Sequence, residues 1–223
     1  MKKYLFTPIK STGHRKAFTL IEILIVIALL TLLMATLTQM IGGVGDSQGR
    51  ARAKTDMALI AAGLEAFNGQ YGGYPRISSA GGEVYAGGEL YKCMAGKMML
   101  TIKDDQIIMA ELGIPRKPFI DTTKIMLADP NDPYLRDVDP EKNGVYFVDP
   151  WLEPYLYFYD TSTFVGDGMS SSWKSPSYIL LSKGPDQKET DSMSMYTTGI
   201  IPDTPDYMSN DENVDNIIQG RDE

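Results

Sequence analysis

Histidine and cysteine are almost absent from this chain of 223 residues. His14 is the single histidine and Cys93 the single cysteine. One cysteine excludes an intrachain disulfide and any CxxC metal or redox pair. With its one imidazole near the amino terminus, the rest of the chain has no histidine for general-base catalysis or for a zinc site. Hydrolases built on Ser–His or Cys–His pairs are therefore disfavoured, and we predict that the chain is not an enzyme.

Positive charge is scarce outside the first 17 residues. The chain holds 21 Lys and Arg against 29 Asp and Glu, for a net charge of −8. Residues 1–17 contain five of these bases and no acid, which leaves 16 bases against 29 acids in the remainder. Nucleic-acid binding relies on Lys and Arg to neutralise phosphates, so an acidic body of this kind argues against it.

A long apolar run follows the basic leader. Over 23–41 nearly every residue is Ile, Leu, Val, Met or Ala, relieved by three threonines and one glutamine. A helix of this length spans about 28 Å, close to the thickness of a bilayer core. A helix in a protein core usually has one polar face, and this run has none until its end. The sequence therefore predicts a membrane-spanning helix over 18–41, with a cytoplasmic amino terminus and an exported carboxy-terminal bulk.

Two residues at the start of this run differ from their surroundings. Ala17 is a small residue placed before the apolar segment, whereas a secretory signal has its cleavage site after it. Cleavage after Ala17 removes the leader, keeps the helix and creates an α-amine on Phe18. Inserting a charged carboxylate into hydrocarbon costs about 2.5–3.5 kcal/mol on insertion scales, so the presence of Glu22 in the apolar run requires an explanation. We interpret Glu22 as the partner of the Phe18 amine in the same or a neighbouring subunit; the alternative is a protonated or hydrated carboxylate at the membrane edge.

Helical periodicity resumes after glycines at 42, 43 and 45. Apolar residues three and four apart over 53–71 mark one helical face, and the GGYP sequence at 72–75 ends the pattern. The glycines indicate either a break at the membrane surface or a pliable stretch within one helix of roughly 80 Å. Residues 42–75 are thus predicted to be the amphipathic second half of a long helix together with its terminating turn.

Residues 76–148 have little periodicity, and we treat them as a variable insertion exposed on the surface. Within them, DDQIIMAELGIP is predicted to form a short helix and GVYFVD a strand. Five carboxylates of this region are compatible with a cation site, although a solvated loop is the favoured interpretation; they are Asp129, Asp132, Asp137, Asp139 and Glu141.

Residues 149–223 combine strand patterns with acidic turns. Alternating tyrosines at 155, 157 and 159 predict one strand, and 178–182 a second that ends in a Gly-Pro-Asp turn. Over 186–223, ten acids face two bases, and carboxylate and amide oxygens are the ligands that calcium prefers. The DENVD sequence has the alternation of an EF-hand start, but Asn216 replaces the glycine that such a loop needs. An acidic, partly disordered tail is the alternative.

Four of these stretches resemble the superfamily of type IV pilins and type II secretion pseudopilins. KAFTLIEILIVIALL is similar to its signal sequence, and LEAFNGQYGGYP to the region after its long helix. DPWLEPY resembles its DPWGNPY motif, and SKGPD its LGADG turn. Two departures are clear: Ala17 stands where the family usually has Gly, and Leu152 and Glu153 replace Gly-Asn, so a different turn geometry is expected there.

The resemblance implies an α+β, pilin-like fold, with a long amino-terminal helix packed on a small carboxy-terminal antiparallel sheet domain. It implies a filament subunit most similar to the major pseudopilin, cut by prepilin peptidase between Ala17 and Phe18 and N-methylated, with Glu22 setting register during assembly. Its partners would be further copies in a helical homopolymer, minor pseudopilins and an inner-membrane assembly platform. An adhesive type IV pilin, or a membrane-anchored exported binding domain or enzyme, are the alternatives.

The resemblance also implies one calcium ion. Its expected ligands are side chains of the acidic loop and two backbone carbonyls of the preceding strand: Asp186, Asp211, Asn213, Asp215, Leu181 and Ser182.

Overall fold

The structure is a computed structural model, and it describes residues 19–78, 82–103, 106–135, 137–160, 173–190, 192–202, 207 and 209–219. The chain divides into two compact units, Met1–Gly45 and Asp46–Glu223. Helix α1 comprises Leu20–Tyr71, and its helical assignment continues through the glycines at 42, 43 and 45. The helix ends where Gly72 follows with a φ of 75°, at the position of the predicted stop.

The remaining elements of the described chain lie in the second unit. In chain order they are α2 (Glu83–Met94), β1 (Met98–Lys103), β2 (Gln106–Glu111), a 3₁₀ turn (Thr122–Lys124), β3 (Leu127–Ala128), β4 (Tyr146–Phe147), β5 (Leu156–Phe158), β6 (Ile179–Ser182), α3 (Ser192–Thr198) and β7 (Ile217–Ile218).

The described strands form three small antiparallel sheets. One is the β1–β2 hairpin, one pairs β3 with β4, and the third has the order β5-β6-β7. In the third sheet Leu156 faces Leu181 and Phe158 faces Ile179, so the two strands predicted from the tyrosine alternation and from residues 178–182 pair directly. The α+β class predicted from the sequence is confirmed at this level: an amino-terminal helix with small antiparallel sheets.

The part of α1 that lies in the second unit forms one wall of the main core. Its apolar face follows the predicted spacing of three and four, and these side chains are at most 1% exposed: Ala53, Met57, Ile60, Leu64 and Phe67. Burial of each large apolar side chain stabilises the fold by roughly 1.5–3 kcal/mol. This stripe holds the helix against the sheets.

The aromatic residues of DPWLEPY contact the same helix. The Trp151 ring packs on the backbone at Gly49, where a Cβ atom would come within 2.8 Å of the ring. The Tyr155 hydroxyl donates to Asp56 Oδ2 at 3.3 Å, and burial raises the pKa of this aspartate. These aromatic residues thus pack the sheet region onto the long helix.

The turn that begins this motif is organised by a buried carboxylate. Asp149 is 1% exposed, and its Oδ1 accepts hydrogen bonds from the backbone N–H groups of Trp151 and Glu153 at 2.9 and 3.0 Å. Its Oδ2 accepts from the Ser182 hydroxyl at 2.6 Å, which links the turn to β6. Leu152 adopts a φ of 72°, the left-handed conformation that glycine favours, so leucine holds this conformation where the family usually has glycine.

The region 76–148 differs from its prediction. The stretch predicted as a short helix contains strand β2, because it pairs with β1 in a six-residue antiparallel register. Helix α2 had no clear sequence signal, since its two central glycines weaken helix propensity. Nor is the region only a surface insertion, because it supplies buried members of the main core: Leu90, Tyr91, Cys93, Met94, Met98, Ile120 and Ile125.

Candidate functional site

Helix α1 begins with a reciprocal pair of hydrogen bonds between Thr19 and Glu22. The Thr19 backbone N–H donates to Glu22 Oε2 at 2.8 Å, and the Thr19 hydroxyl donates to the same oxygen at 2.9 Å. In return, the Glu22 backbone N–H donates to Thr19 Oγ1 at 3.3 Å. This is a capping box, in which the first residue before the helix and the third residue within it satisfy each other's backbone donors.

This cap gives Glu22 a structural role in addition to the predicted ion pair with the Phe18 amine. The signal was present in the sequence as Thr-x-x-Glu directly before an apolar run. Ala17 and Phe18, the predicted cleavage residues, lie outside the described residues, so the pairing of Glu22 with a Phe18 amine stays a prediction. The cap nevertheless holds the Glu22 carboxylate against Thr19, the residue that follows Phe18.

The amino-terminal turns of α1 expose their apolar side chains on every side. The large apolar residues over 20–34 are between 49% and 81% exposed in the chain. The predicted membrane span over 18–41 is not confirmed, because among the described residues no helix is long and apolar enough to cross a membrane.

One string in the chain has the spelling of the GxSxG nucleophile motif, at residues 45–49. In hydrolases this serine stands on a sharp turn between a strand and a helix. Here the whole string lies inside helix α1, so Ser47 does not stand on a turn between a strand and a helix. The string therefore gives no support to an enzyme.

The second candidate site joins the turn after β6 to the segment before β7. The Asp186 backbone N–H donates to Asp215 Oδ2 at 3.0 Å. Gly184 has a φ of 72°, and a Cβ atom there would lie 2.3 Å from the Asp215 carbonyl oxygen. The Arg50 guanidinium donates to that same carbonyl at 3.2 Å. The sequence folds this way because only glycine allows so close an approach with positive φ.

The Asp215 carboxylate is incompletely satisfied. Its Oδ1 is buried and has no hydrogen-bond partner among the described residues. Burial is the main cause that raises the pKa of Asp215; the Asp186 amide opposes the rise, and the Asp186 carboxylate adds to it. A buried carboxylate oxygen without a donor is a site where a bound cation would lower the energy of the charged form.

The other predicted calcium ligands have different surroundings. Asp211 is exposed, and the side-chain oxygen of buried Asn213 accepts from the Thr190 backbone N–H at 3.1 Å. Leu181 and Ser182 are fully buried within β6, where they pair with β7. Over the described ranges, no group of three or more acidic, histidine or cysteine side chains is placed to hold a metal ion. The structure thus brings together Asp186 and Asp215 and not the full predicted set.

Comparison with known proteins bears on the amino-terminal segment. Residues 13–38 match the model of the prokaryotic N-terminal methylation motif. No curated protein and no solved structure matches the chain at a significant level. The match is confined to this segment, and it indicates a type IV pilin-like substrate of prepilin peptidase.

Proposed function

We propose that this chain is a structural subunit of a type II secretion pseudopilus or of a related type IV pilus-like filament. The observation that carries the proposal is the methylation motif over 13–38, with the capped helix start that Thr19 and Glu22 form inside it. Prepilin peptidase would cut between Ala17 and Phe18, and the new amine would be methylated. The subunit would then wait in the inner membrane as a single-pass protein, with its carboxy-terminal unit in the periplasm.

Glu22 has two functions in this proposal. Its capping bonds satisfy the first backbone donors of α1, which have no partner within the helix. Cleavage would also create a positive charge on Phe18, next to the residue whose N–H already donates to Glu22. The carboxylate would then attract the amine of an entering neighbour and align the two subunits, since an ion pair in a medium of low dielectric is strong.

The type II branch of the family is supported by two features of the second unit. The DPWLEPY turn places Trp151 on the long helix, and the SKGPD turn meets Asp215 across Gly184. Both correspond in sequence to motifs of pseudopilins. The partners would be further copies of this chain, minor pseudopilins and the inner-membrane assembly platform.

The first test determines the amino terminus and the role of Glu22. We expect mass spectrometry of the full chain, produced with its prepilin peptidase, to find a mature protein that starts at Phe18 and carries one methyl group. Any other first residue would contradict the processing proposal.

Glu22→Ala should reach the membrane but form no filaments, whereas an anchored enzyme or binding domain would hardly respond.

A matched variant separates the two functions of Glu22. Glu22→Gln keeps an oxygen that accepts from the Thr19 N–H but removes the charge. If register depends on the ion pair, Glu22→Gln should fail to assemble as Glu22→Ala does. Normal filaments from Glu22→Gln would show that capping alone is required.

We also propose that the second unit binds calcium between Asp186 and Asp215. Asp215 Oδ1 is buried and has no hydrogen-bond partner within the described part of the chain, and the Asp186 carboxylate is adjacent; both support this, and backbone carbonyls or water would complete the shell. A ligand at about 100 times its Kd stabilises a fold by roughly 2.7 kcal/mol. The melting temperature should therefore rise in calcium relative to chelator.

Two variants make the calcium test specific. Asp215→Asn should lose the calcium-dependent rise, and Asp211→Asn, whose parent side chain is exposed, should keep it. If wild-type protein melts at the same temperature in calcium and in chelator, the metal proposal is wrong, and the filament proposal is unaffected.

A further inference from the structure

Two of the six asparagines in the chain are followed directly by glycine, at residues 68–69 and 143–144. In an Asn-Gly pair, the backbone nitrogen of the glycine can reach the side-chain amide carbon of the asparagine. Glycine makes this approach easy, because it has no Cβ atom and its backbone rotates more freely than that of any other residue. The two pairs therefore have the same local chemistry, and they differ in the structure around them.

The first pair is held by helix α1. Asn68 and Gly69 lie within Leu20–Tyr71, where each backbone N–H donates to the carbonyl four residues earlier. The Asn68 carbonyl accepts from the Gly72 N–H at 2.7 Å, and the Asn68 side chain interacts with the Tyr74 hydroxyl. The helix must open locally before the Gly69 nitrogen can approach the Asn68 side chain, and such opening costs free energy.

The second pair lies in a turn between Lys142 and strand β4. Asn143 is exposed, and Gly144 has a φ of 84°, a conformation that glycine adopts without strain. Within the described part of the chain, neither the Gly144 N–H nor the Asn143 side chain takes part in a hydrogen bond. Both groups are therefore accessible to water and can rotate toward each other without breaking a hydrogen bond.

We propose that Asn143 is a site of spontaneous covalent modification, at which the side-chain amide becomes a carboxylate through a cyclic imide with the Gly144 nitrogen. Hydroxide removes the proton of the Gly144 N–H, and the nitrogen forms a bond to Asn143 Cγ. The bond from Cγ to Nδ2 breaks, and Nδ2 takes a proton from water and leaves as ammonia, which regenerates hydroxide. The inference does not depend on the proposed filament function.

Water then opens the imide ring at one of its two carbonyl carbons. Breaking the bond between the ring nitrogen and Cγ gives aspartate. Breaking the bond between the ring nitrogen and the main-chain carbonyl carbon gives isoaspartate, in which the main chain continues through Cγ. Direct hydrolysis of the side-chain amide would give aspartate alone, so isoaspartate is the signature of the imide.

The space around Gly144 makes the two products differ in their effect. A Cβ atom on Gly144 would lie 3.0 Å from the Pro130 ring, and a Cβ atom on Gly88 of α2 would lie 3.4 Å from the Gly144 carbonyl oxygen. Isoaspartate adds one carbon to the main chain at this tight position, whereas aspartate adds only a charge at an exposed one. We expect the isoaspartate form to melt below the unmodified protein, and the Asn143→Asp variant to melt close to it.

Peptide mass spectrometry of the full chain, purified in detergent and incubated in mildly alkaline buffer, tests the site. We expect aspartate and isoaspartate at position 143. Asn68 in the same sample is the matched control, and it should convert at least about tenfold more slowly because α1 must open first. In concentrated urea, where the helix is unfolded, the two asparagines should convert at similar rates.

Asn143→Gln is a second control. Glutamine keeps the amide, but ring closure then needs one more atom and is much slower, so the modification at position 143 should disappear. Because Asn143 is exposed, this variant should keep the wild-type melting temperature.

Three results would overturn the inference. They are no conversion at 143 in the folded chain, conversion to aspartate without isoaspartate, and equal rates at 143 and 68 in the folded chain. Each would leave the filament proposal standing. Conversion at 143 to both products, with Asn68 protected only while the chain is folded, would support the inference.

Discussion

Segments 129–144 and 184–215, the first and second loop below, are both rich in aspartate, yet the buried carboxylate oxygens of Asp129 and Asp215 have different partners. In the first loop, Asp129 is 1% exposed; its Oδ1 accepts from the Asn131 backbone N–H at 2.9 Å, and its Oδ2 pairs with the Lys142 ammonium. In the second loop, Asp215 Oδ2 accepts from the Asp186 N–H, and Oδ1 has no donor within the described chain.

The pKa values of the two carboxyl groups are consequently shifted in opposite directions. The hydrogen bond from Lys142 lowers the pKa of Asp129, and burial raises the pKa of Asp215. The density of acids therefore does not identify a cation site in this protein. The deciding property is whether each buried carboxylate oxygen already has a donor, and among the described residues Asp215 Oδ1 in the second loop has none.

The backbone closure of the two loops provides the largest expected effect. Gly184 and Gly144 both have positive φ, but the atoms they face differ. A Cβ atom at position 184 would meet the Asp215 carbonyl oxygen at 2.3 Å, whereas at position 144 it would meet the Pro130 ring at 3.0 Å. Gly184→Ala should lower the free energy of unfolding by at least about 3 kcal/mol, because it adds a backbone clash to left-handed strain. Gly144→Ala should lower it by about 1–2 kcal/mol, mainly from left-handed strain.

Urea denaturation of both variants measures this difference. Gly184→Ala should also separate Asp186 from Asp215 and remove any response to calcium, which Gly144→Ala should retain. Equal losses of stability from the two alanines would mean that the second loop tolerates a shift of its backbone, and the close approach would then not define the site.

Replacing Asp129 and replacing Asp215 with asparagine should change stability with opposite signs. In chelator, Asp215→Asn removes a partly buried charge whose Oδ1 has no donor among the described residues, and it should stabilise the fold by about 1 kcal/mol. Asp129→Asn removes the charge that pairs with Lys142 and should destabilise it. The measurement is the free energy of unfolding at neutral pH. Destabilisation by both variants would indicate that Asp215 Oδ1 also has a donor in the folded protein.

Sequence reasoning predicted the elements with strong local patterns. The helical face over 53–71, the stop at 72–75 and the strands around Tyr157 and at 178–182 all follow from periodicity and turn chemistry. Asp186 and Asp215 were both predicted as calcium ligands; the structure places the Asp186 N–H against the Asp215 carboxylate, and the metal site itself stays a prediction.

The failures have physical causes that lie outside local sequence. The apolar run that forms β2 is too short to distinguish helix from strand by periodicity, and its pairing with β1 decides the outcome. Helix α2 forms despite Gly87 and Gly88, which lie against Tyr146 and Gly144, where tight packing offsets weak helix propensity. Two donors of Asp149 are local, but the third, the Ser182 hydroxyl, lies 33 positions away, so the link from this turn to β6 gave no signal in the local sequence.

Dependence on pH gives the smallest expected effect and the most direct comparison of the two loops. Asp215 has a raised folded pKa, so the charged form destabilises the fold: the penalty is absent below the ordinary aspartate pKa of about 3.9 and is complete once the pH exceeds the folded value. Asp129 has a lowered folded pKa, so its contribution is present above about pH 3.9 and is lost as the pH falls through the folded value.

In chelator, Asp215→Asn should therefore melt above wild type and Asp129→Asn below it at pH 7, and both differences should shrink to within a few tenths of a kcal/mol in acid. Melting temperatures of the three proteins between pH 3 and 7 would test this, and a difference for Asp215→Asn that persists at pH 3 would mean that packing, and not the buried charge, distinguishes the two loops.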